Sequence, residues 1–219
     1  MTRNDARRLT EGFGLLAAFI LWTILIQTVD VRPLGVNGTN IGFAALNTWF
    51  HRLTGVHMMI YTLTDWLGLV PIAVCVAFGV LGVIQWVKRR SLRAVDADIR
   101  ILGVYYVVVI LAYLIFEMIP INYRPILIEG NMEASYPSST TLLVLSVMPT
   151  LAYQVSRRVR HAAARRALIG FAAAFSAFMV LGRTVAGVHW LTDILGSALL
   201  SAGLYLAYTG CVARVEAYE

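Results

Sequence analysis

The sequence predicts an all-α protein: a six-transmembrane helix bundle with a short interfacial helix in the first outer loop. Of its 219 residues, 59% are hydrophobic and only 14% are charged, and the mean hydropathy is +0.73. This composition is too apolar for an ordinary soluble domain and fits a polytopic membrane protein. The apolar residues also gather in six long stretches with basic segments between them. We expect one integral-membrane domain over residues 1–219.

Each apolar stretch is close to the roughly 20 residues that a helix needs to cross a hydrocarbon layer about 30 Å thick. The predicted spans are residues 12–29, 66–87, 101–119, 140–156, 167–182 and 191–212. We expect the first to be a membrane span and not a cleaved signal peptide. It is long, and "LWTILIQTVDV" lacks a small-x-small cleavage site.

The basic residues predict the orientation of the bundle. If six helices alternate, all but four of the 18 lysines and arginines fall on one side. The positive-inside rule then predicts that both termini are cytoplasmic. The basic loops would face the anionic inner leaflet, which explains the high pI without a nucleic-acid partner. The four basic residues on the other side are Arg32, Arg52, Arg124 and Arg183.

The first outer loop, about residues 30–65, contains the segment "IGFAALNTWFHRLTG". Its apolar residues recur at helical spacing, which suits a short amphipathic helix lying at the membrane interface. A loop helix packed on the bundle explains the pattern equally well. Two cysteines, Cys75 and Cys211, lie in apolar runs and suggest neither a disulfide framework nor a metal site.

Polar residues gather at the outer ends of the last four spans. Arg124 follows span three, "YPSSTT" opens span four, Arg183 follows span five, and His189 and Asp193 open span six. A charge in lipid costs several kcal/mol unless it is paired or hydrated, so such a group of residues suggests a role beyond packing.

The chemistry of these residues suits an anion. His189 and Asp193 are four residues apart, so Asp193 can accept a hydrogen bond from one imidazole nitrogen and leave the other free as a nucleophile or base. Arg124 and Arg183 carry planar forks that suit phosphate oxygens.

A helix beginning at Ser138, Ser139 and Thr140 would direct free N–H groups at the same anion. These residues predict a phosphate site with a histidine nucleophile. Each motif also has a structural explanation: a helix cap, a lock at a helix end, or a contact with lipid headgroups.

The residues resemble the phosphatidic acid phosphatase type 2 and vanadium haloperoxidase superfamily. "RTVAGVHWLTD" matches the third signature, Ser-Arg-x5-His-x3-Asp, except for Gly182 before the arginine. "RP" at 124–125 resembles the end of the first signature, Lys-x6-Arg-Pro, and "PSST" at 137–140 resembles the second, Pro-Ser-Gly-His. Their order and the six spans agree with the integral-membrane lipid phosphatases of this superfamily.

The resemblance implies a role for each matching residue. His189 would attack phosphorus and form a phosphohistidine, and Asp193 would orient it. Arg124 and Arg183 would bind the phosphoryl oxygens and stabilise developing charge, and Ser138, Ser139 and Thr140 would complete the phosphate cradle. The resemblance implies no metal and no other cofactor for phosphate hydrolysis.

Two departures from the signatures concern charge and proton transfer. The lysine position of the first signature holds Glu117, and the closing histidine of the second, which protonates the leaving group, is Thr140. Three roles remain open for Glu117: it pairs with Arg124, it is the missing general acid, or it faces a cationic part of the substrate. His57 and Asp65 are further candidates for proton transfer.

These residues leave two classes of function open. The first is a lipid-phosphate phosphatase that hydrolyses a phosphomonoester or diphosphate at the outer leaflet, or a phosphoryl transferase using the same site. The second is a non-hydrolytic relative that binds a phosphorylated lipid. Phosphatidate, phosphatidylglycerol phosphate and prenyl diphosphates all fit as partners. A haloperoxidase is disfavoured, because the site lacks the lysine and the acid histidine that vanadate chemistry would use.

Overall fold

The computed structural model describes the backbone of residues 3–217 and the side chains of residues 6–217. The predicted single domain also includes residues 1, 2, 218 and 219, which lie outside this range. Within the described residues, eight α-helices follow one another. They are α1 (Arg3–Thr28), α2 (Ala44–Thr54), α3 (Met58–Leu67), α4 (Leu69–Arg89), α5 (Ala97–Met118), α6 (Ser139–Arg158), α7 (Ala162–Val185) and α8 (Leu191–Glu216).

The predicted all-α bundle is confirmed. Within the described residues, β pairing is limited to isolated bridges. Five helical segments there are long and apolar enough to cross a membrane: Ala6–Thr28, Met58–Arg89, Ala97–Met118, Ala162–Val185 and Leu191–Glu216. The predicted fourth span corresponds to α6, which is long enough but more polar. The loops after α1, α5 and α7 lie at one end of the bundle, which we call the site end.

Helix α6 is polar because it occupies the centre of the bundle, where its hydroxyl and amide groups are hydrogen-bonded to other helices. The Ser146 hydroxyl donates to the Ser201 hydroxyl over 3.2 Å, and the Gln154 amide donates to the Tyr208 hydroxyl over 2.9 Å. Hydrogen bonds between helices stabilise association where water is absent. A central helix with these partners needs no lipid-facing apolar surface, so hydropathy underrates it.

Helices α1 and α8 pack closely because glycines face each other across the contact. A Cβ added to Gly12 would lie 2.8 Å from the Ala207 backbone nitrogen, and one added to Gly203 would lie 3.0 Å from the Leu16 side chain. Small residues let membrane helices approach at backbone distance and gain van der Waals contact. This packing fixes α8, whose first turn belongs to the candidate site.

Helix α2 combines both explanations considered for the first outer loop. Asn47 is buried, and its amide donates to the Thr192 hydroxyl at the start of α8 over 3.0 Å. The opposite face exposes Trp49 and Leu53, which are 59% and 68% accessible. An apolar face beside a packed polar one is typical of a helix that lies at a membrane interface. The helix therefore packs on the bundle and also has the predicted amphipathic character.

The end of the bundle opposite the site is closed by an ion-pair network. Arg158 on α6 donates to both carboxylate oxygens of Asp98 on α5, at 2.7 and 2.8 Å. It also reaches Asp96 at 3.0 Å and Gln154 at 2.8 Å. Because the Asp98 side chain is only 5% exposed, its charge depends on these partners.

We expect Asp98→Ala to lower the free energy of unfolding by about 2–3 kcal/mol, since it removes charged hydrogen bonds from a buried position. Thermal unfolding in detergent would measure the loss. Glu11→Ala is the matched control, because Glu11 forms an exposed i,i+4 pair with Arg7 and should contribute about 0.5 kcal/mol or less. Equal shifts for the two variants would contradict the structural role of the network.

Candidate active site

Two buried arginines lie against one tyrosine ring at the site end. The guanidinium carbons of Arg124 and Arg183 lie 5.6 and 4.9 Å from the centre of the Tyr61 ring on α3. The two residues are only 7% and 1% exposed. Two buried like charges repel each other, and the cation–π contacts with Tyr61 offset only part of that cost. An anion between the guanidinium groups would stabilise both.

Several buried nitrogens of this group have no hydrogen-bond partner. They are Nε and Nη1 of Arg124, Nε of Arg183 and Nε2 of His189. Buried polar groups are nearly always hydrogen-bonded, so each unpaired one needs an explanation. Three are cationic donors and the fourth belongs to an imidazole, which is the set that would surround a phosphoryl group. The arginine and histidine side chains predicted for the phosphate site are therefore brought together.

The tautomer of His189 follows from its hydrogen bonds. Its Nδ1 lies 3.2 Å from the backbone carbonyl oxygen of Ser135 and 3.1 Å from the Ser135 hydroxyl. A carbonyl oxygen only accepts, so Nδ1 carries the proton and Nε2 carries a free lone pair. Burial lowers the pKa of His189 well below its usual 6.5, and the charges of Arg124 and Arg183 lower it further. The imidazole is thus a neutral, unpaired base.

Asp193 supports His189 indirectly, contrary to the predicted direct hydrogen bond. Its Oδ2 lies 4.0 Å from His189 Nδ1, because His189 precedes α8 in the chain and does not share its helix face. The Ser135 hydroxyl bridges the gap: it donates to Asp193 Oδ2 over 2.5 Å and accepts from the imidazole. The Asn122 amide and the Trp190 backbone N–H also donate to Asp193, at 3.1 and 2.9 Å.

The turn that presents His189 requires Gly187. This residue has a φ of 71°, and an added Cβ would lie 1.9 Å from the Gly55 carbonyl oxygen. Positive φ and so close an approach exclude other residues. The Trp190 indole then donates to the Tyr123 carbonyl over 2.8 Å and joins this turn to the loop after α5. That loop carries Arg124, so the contact sets the arginine beside the histidine.

Ser135, Asn122 and Glu133 are parts of the site that the sequence motifs did not reveal. An isolated antiparallel bridge joins Tyr123 to Ala134. Its neighbours pair as well: the Ser135 N–H donates to the Asn122 carbonyl and the Arg124 N–H donates to the Glu133 carbonyl, each over 3.1 Å. Alternate residues of an extended pair share a face. The sequence did offer one signal for this pairing. Asn122 and Ser135 are polar, and each lies two positions before a motif residue, Arg124 or Pro137.

Carboxylates also contact the two arginines. Glu133 Oε2 lies 3.1 Å from Arg124 Nη2, and Asp65 Oδ1 lies 3.6 Å from Arg183 Nη1. Among the described ion pairs, Glu133 and not Glu117 is the partner of Arg124, so that role considered for Glu117 is wrong. Glu117 is exposed near the end of α5 and lines a small cavity with Tyr113 and Ser139. A catalytic role for it stays a prediction.

The start of α6 lies at the site, but its hydroxyls differ in what they contact. Ser138 is fully buried and its hydroxyl donates to Thr141 Oγ1 over 3.0 Å. Ser139 and Thr140 instead line an apolar cavity of about 460 Å³ between α4, α5 and α6. Asp65 lines the same cavity. His57 contacts the Thr54 carbonyl, with its Nε2 2.8 Å from the oxygen.

Metal ligation has no candidate in the described part of the chain, where no group of three or more His, Cys, Asp or Glu side chains is placed to hold an ion.

Comparisons with known proteins identify a family and a similar fold. The PAP2 superfamily model matches residues 73–216, which include the candidate phosphate ligands and His189. The chain belongs to the PAP2 superfamily. A crystal structure of a transmembrane PAP2-type phosphatidylglycerolphosphate phosphatase from Bacillus subtilis has a similar fold. Its TM-score is 0.58 at 16% identity, covering 95% of this chain and 98% of that one. No curated protein gives a significant match.

Membership of the PAP2 superfamily and the apolar helices identify an integral, multi-pass membrane protein. Membership of the superfamily also supports phosphatase activity in general terms.

We expect Ser135→Ala to lower kcat by about 10- to 100-fold with little change in KM. That is the range found when the outer partner of a functional histidine is removed from a metal site. The variant would lose the link between His189 and Asp193 and leave the arginines intact. Phosphate release at saturating and limiting substrate would separate kcat from KM. Ser146→Ala removes a similarly buried hydroxyl from mid-α6, and an equal loss there would contradict the role of Ser135.

Proposed function

We propose that this protein hydrolyses the phosphomonoester or diphosphate group of a membrane lipid through a phosphohistidine intermediate at His189. The observation that carries the proposal is the set of unpaired nitrogens on Arg124, Arg183 and His189. They bring a neutral imidazole nitrogen to the same group of residues as two cations. A phosphoryl group would satisfy all of these atoms at once, and the imidazole lone pair would face its phosphorus.

The proposed mechanism uses electrostatics and positioning. The two guanidinium groups bind the phosphoryl oxygens and stabilise the charge that develops on them. His189 Nε2 attacks phosphorus, and the leaving group departs on the opposite side. Asp193, acting through Ser135, keeps the proton on Nδ1 and favours the positive charge that the imidazole gains. Water then attacks the phosphohistidine and releases inorganic phosphate.

The apolar cavity supports a lipid as the substrate. It lies between α4, α5 and α6 and is lined by Leu69, Ile72 and Val109, among other apolar residues. Ser139 and Thr140, at the start of α6, border it near the site end. A hydrocarbon chain would enter this cavity because burial of apolar surface is favourable. Its phosphate would then lie at the site end, near the arginines.

The basic loops at the opposite end support an outer-leaflet substrate. If the positive-inside rule sets the orientation, both termini are cytoplasmic and the site end is extracytoplasmic. Sealed right-side-out vesicles should then hydrolyse a short-chain, water-soluble lipid phosphate added outside. Inside-out vesicles should require detergent. Activity of sealed inside-out vesicles alone would overturn this orientation.

A non-hydrolytic lipid-phosphate binder is the second candidate. The substitutions at Glu117 and Thr140 favour it, because they remove the lysine and the acid histidine of the signatures. A transferase would use the same site with another acceptor in place of water.

Phosphate release from a panel of lipid phosphates distinguishes these functions. The purified protein would be assayed with phosphatidate, phosphatidylglycerol phosphate and prenyl mono- and diphosphates in mixed micelles. Release of inorganic phosphate from at least one of them supports the phosphatase. Saturable binding without release, beside an active control enzyme, would replace it with the binder. Phosphate appearing on an added alcohol instead of in solution would replace it with the transferase.

A further inference from the structure

A phosphate ester of a simple alcohol needs a proton donor for its leaving group. The alkoxide that would otherwise depart is about as basic as hydroxide and is therefore a poor leaving group. A positioned acid supplies this proton and accelerates such steps by about 10²- to 10⁴-fold. The second signature of the superfamily places a histidine at the position of this acid. Here that position holds Thr140, whose hydroxyl is too weak an acid to donate at neutral pH.

Asp65 lies close to the position that such an acid would occupy. It is in the last turn of α3, and it lines the apolar cavity together with Thr140. A Cβ added to Gly68, three residues further on, would lie 3.6 Å from the Thr140 methyl group. Helix α3 therefore brings a carboxyl group to the cavity that Thr140 also lines.

Asp65 is also adjacent to the phosphate ligands. Its Oδ1 lies 3.6 Å from Arg183 Nη1, a longer contact than a close ion pair, and its side chain is 57% exposed. It thus lies between the arginine that would hold the phosphate and the cavity that would hold the lipid chain. In a bound substrate, the oxygen that joins the phosphate to the lipid would therefore lie near this carboxyl group.

We propose that Asp65 is the general acid and base of the phosphatase reaction, in place of the histidine missing at position 140. The inference rests on the proposed function. As the His189 Nε2–phosphorus bond forms, the bond from phosphorus to the lipid oxygen breaks. Its electron pair goes to that oxygen, which takes the Asp65 proton. In the second step the Asp65 carboxylate takes a proton from water, whose oxygen bonds to phosphorus as the phosphorus–Nε2 bond breaks.

Asp65 is the carboxyl group that both contacts a phosphate-binding arginine and lines the cavity. The other acids fit less well. Glu133 is held by Arg124 at 3.1 Å, and Glu117 lines a separate cavity of only about 10 Å³.

The test compares a prenyl monophosphate with the diphosphate of the same chain in single-turnover assays of Asp65→Asn. Hydrolysis of the diphosphate expels a lipid phosphate, a phosphate monoester with a pKa of about 6 that needs little protonation. We expect the monophosphate rate to fall about 100-fold or more and the diphosphate rate by less than about 10-fold. Glu129→Gln, an exposed acid in the loop after α5, should change neither rate.

A double variant gives a second readout. Asp65→Asn combined with Thr140→His restores the histidine of the signature, and we expect it to recover at least about 10-fold of the lost monophosphate rate. An unchanged rate or an equal loss on both substrates for Asp65→Asn would overturn the role of Asp65 alone. The same selective loss for Glu117→Gln and not for Asp65→Asn would assign the acid to Glu117. A wild-type protein that hydrolyses neither ester would overturn the proposed function itself.

Discussion

His189→Ala should lower lipid-phosphate hydrolysis by about 10⁴-fold or more, because it removes the nucleophile itself. Nε2 is the ring nitrogen of this side chain without a hydrogen-bond partner, since Nδ1 is held by Ser135. The two arginines stay in place, so the variant should still bind a lipid phosphate with an affinity within a few-fold of the wild type. Release of inorganic phosphate measures hydrolysis. Competition between inorganic phosphate and the lipid phosphate measures binding.

Trapping of the proposed covalent intermediate gives the control for this result. Rapid quenching with a ³²P-labelled lipid should trap an acid-labile phosphoprotein in the wild type and none in His189→Ala. Because burial and both guanidinium groups hold the pKa of His189 well below 6.5, the imidazole stays unprotonated, and the acid limb of kcat/KM should fall below pH 6.5. Turnover that survives the substitution, or label trapped on the variant, would rule out this nucleophile.

The sequence predicted the groups of the site better than their contacts. The third signature holds Arg183, His189 and Asp193 within eleven residues, and a short segment that joins two helix ends cannot separate them far. Arg124 and Ser138 follow from the alternation of spans, which brings every second loop to the same end of the bundle. These placements need only chain connectivity and the length of a membrane helix.

The contacts depended on features that no motif carries. The four-residue spacing predicted that His189 and Asp193 are helical neighbours, but α8 begins at Leu191 and Ser135 fills the gap between them. Arg124 pairs with Glu133 and not with Glu117, because the bridge between Tyr123 and Ala134 sets the register of the loop after α5. A distant segment decides the first outcome and pairing within one loop decides the second, and single-sequence periodicity reports neither.

The polarity of α6 made the fourth span harder to predict from hydropathy. The sequence placed a span there, although Ser146, Thr150 and Gln154 lower its hydropathy. In the structure these side chains face other helices, and Thr150 is hydrogen-bonded to the Tyr106 hydroxyl at 2.8 Å. Hydropathy measures transfer from water to lipid, whereas these groups transfer from water to a hydrogen-bonded protein interior. A central helix is therefore the one that such a scale recognises least.

Arg183→Met should lower kcat/KM by about 10³-fold and leave the fold at least as stable as the wild type. The substitution removes a fork aimed at the phosphoryl oxygens, and losing one such donor costs about 10²- to 10³-fold. Methionine fills a similar volume, and its absence of charge relieves the repulsion with Arg124 across the Tyr61 ring. A residue that destabilises the protein alone and stabilises its ligand complex is typical of a functional position.

Thermal unfolding separates this prediction from simple misfolding. At a concentration near 100 times its Kd, a phosphate ligand should stabilise the wild type by about 2.7 kcal/mol and stabilise Arg183→Met much less. Arg183→Lys keeps the charge without the planar fork, so its kcat/KM should lie between that of the wild type and that of Arg183→Met. Arg52→Met removes an exposed positive charge from α2 near the same end of the bundle and should leave both properties unchanged. If it reduced kcat/KM as much as Arg183→Met, net charge and not phosphate binding would be the cause.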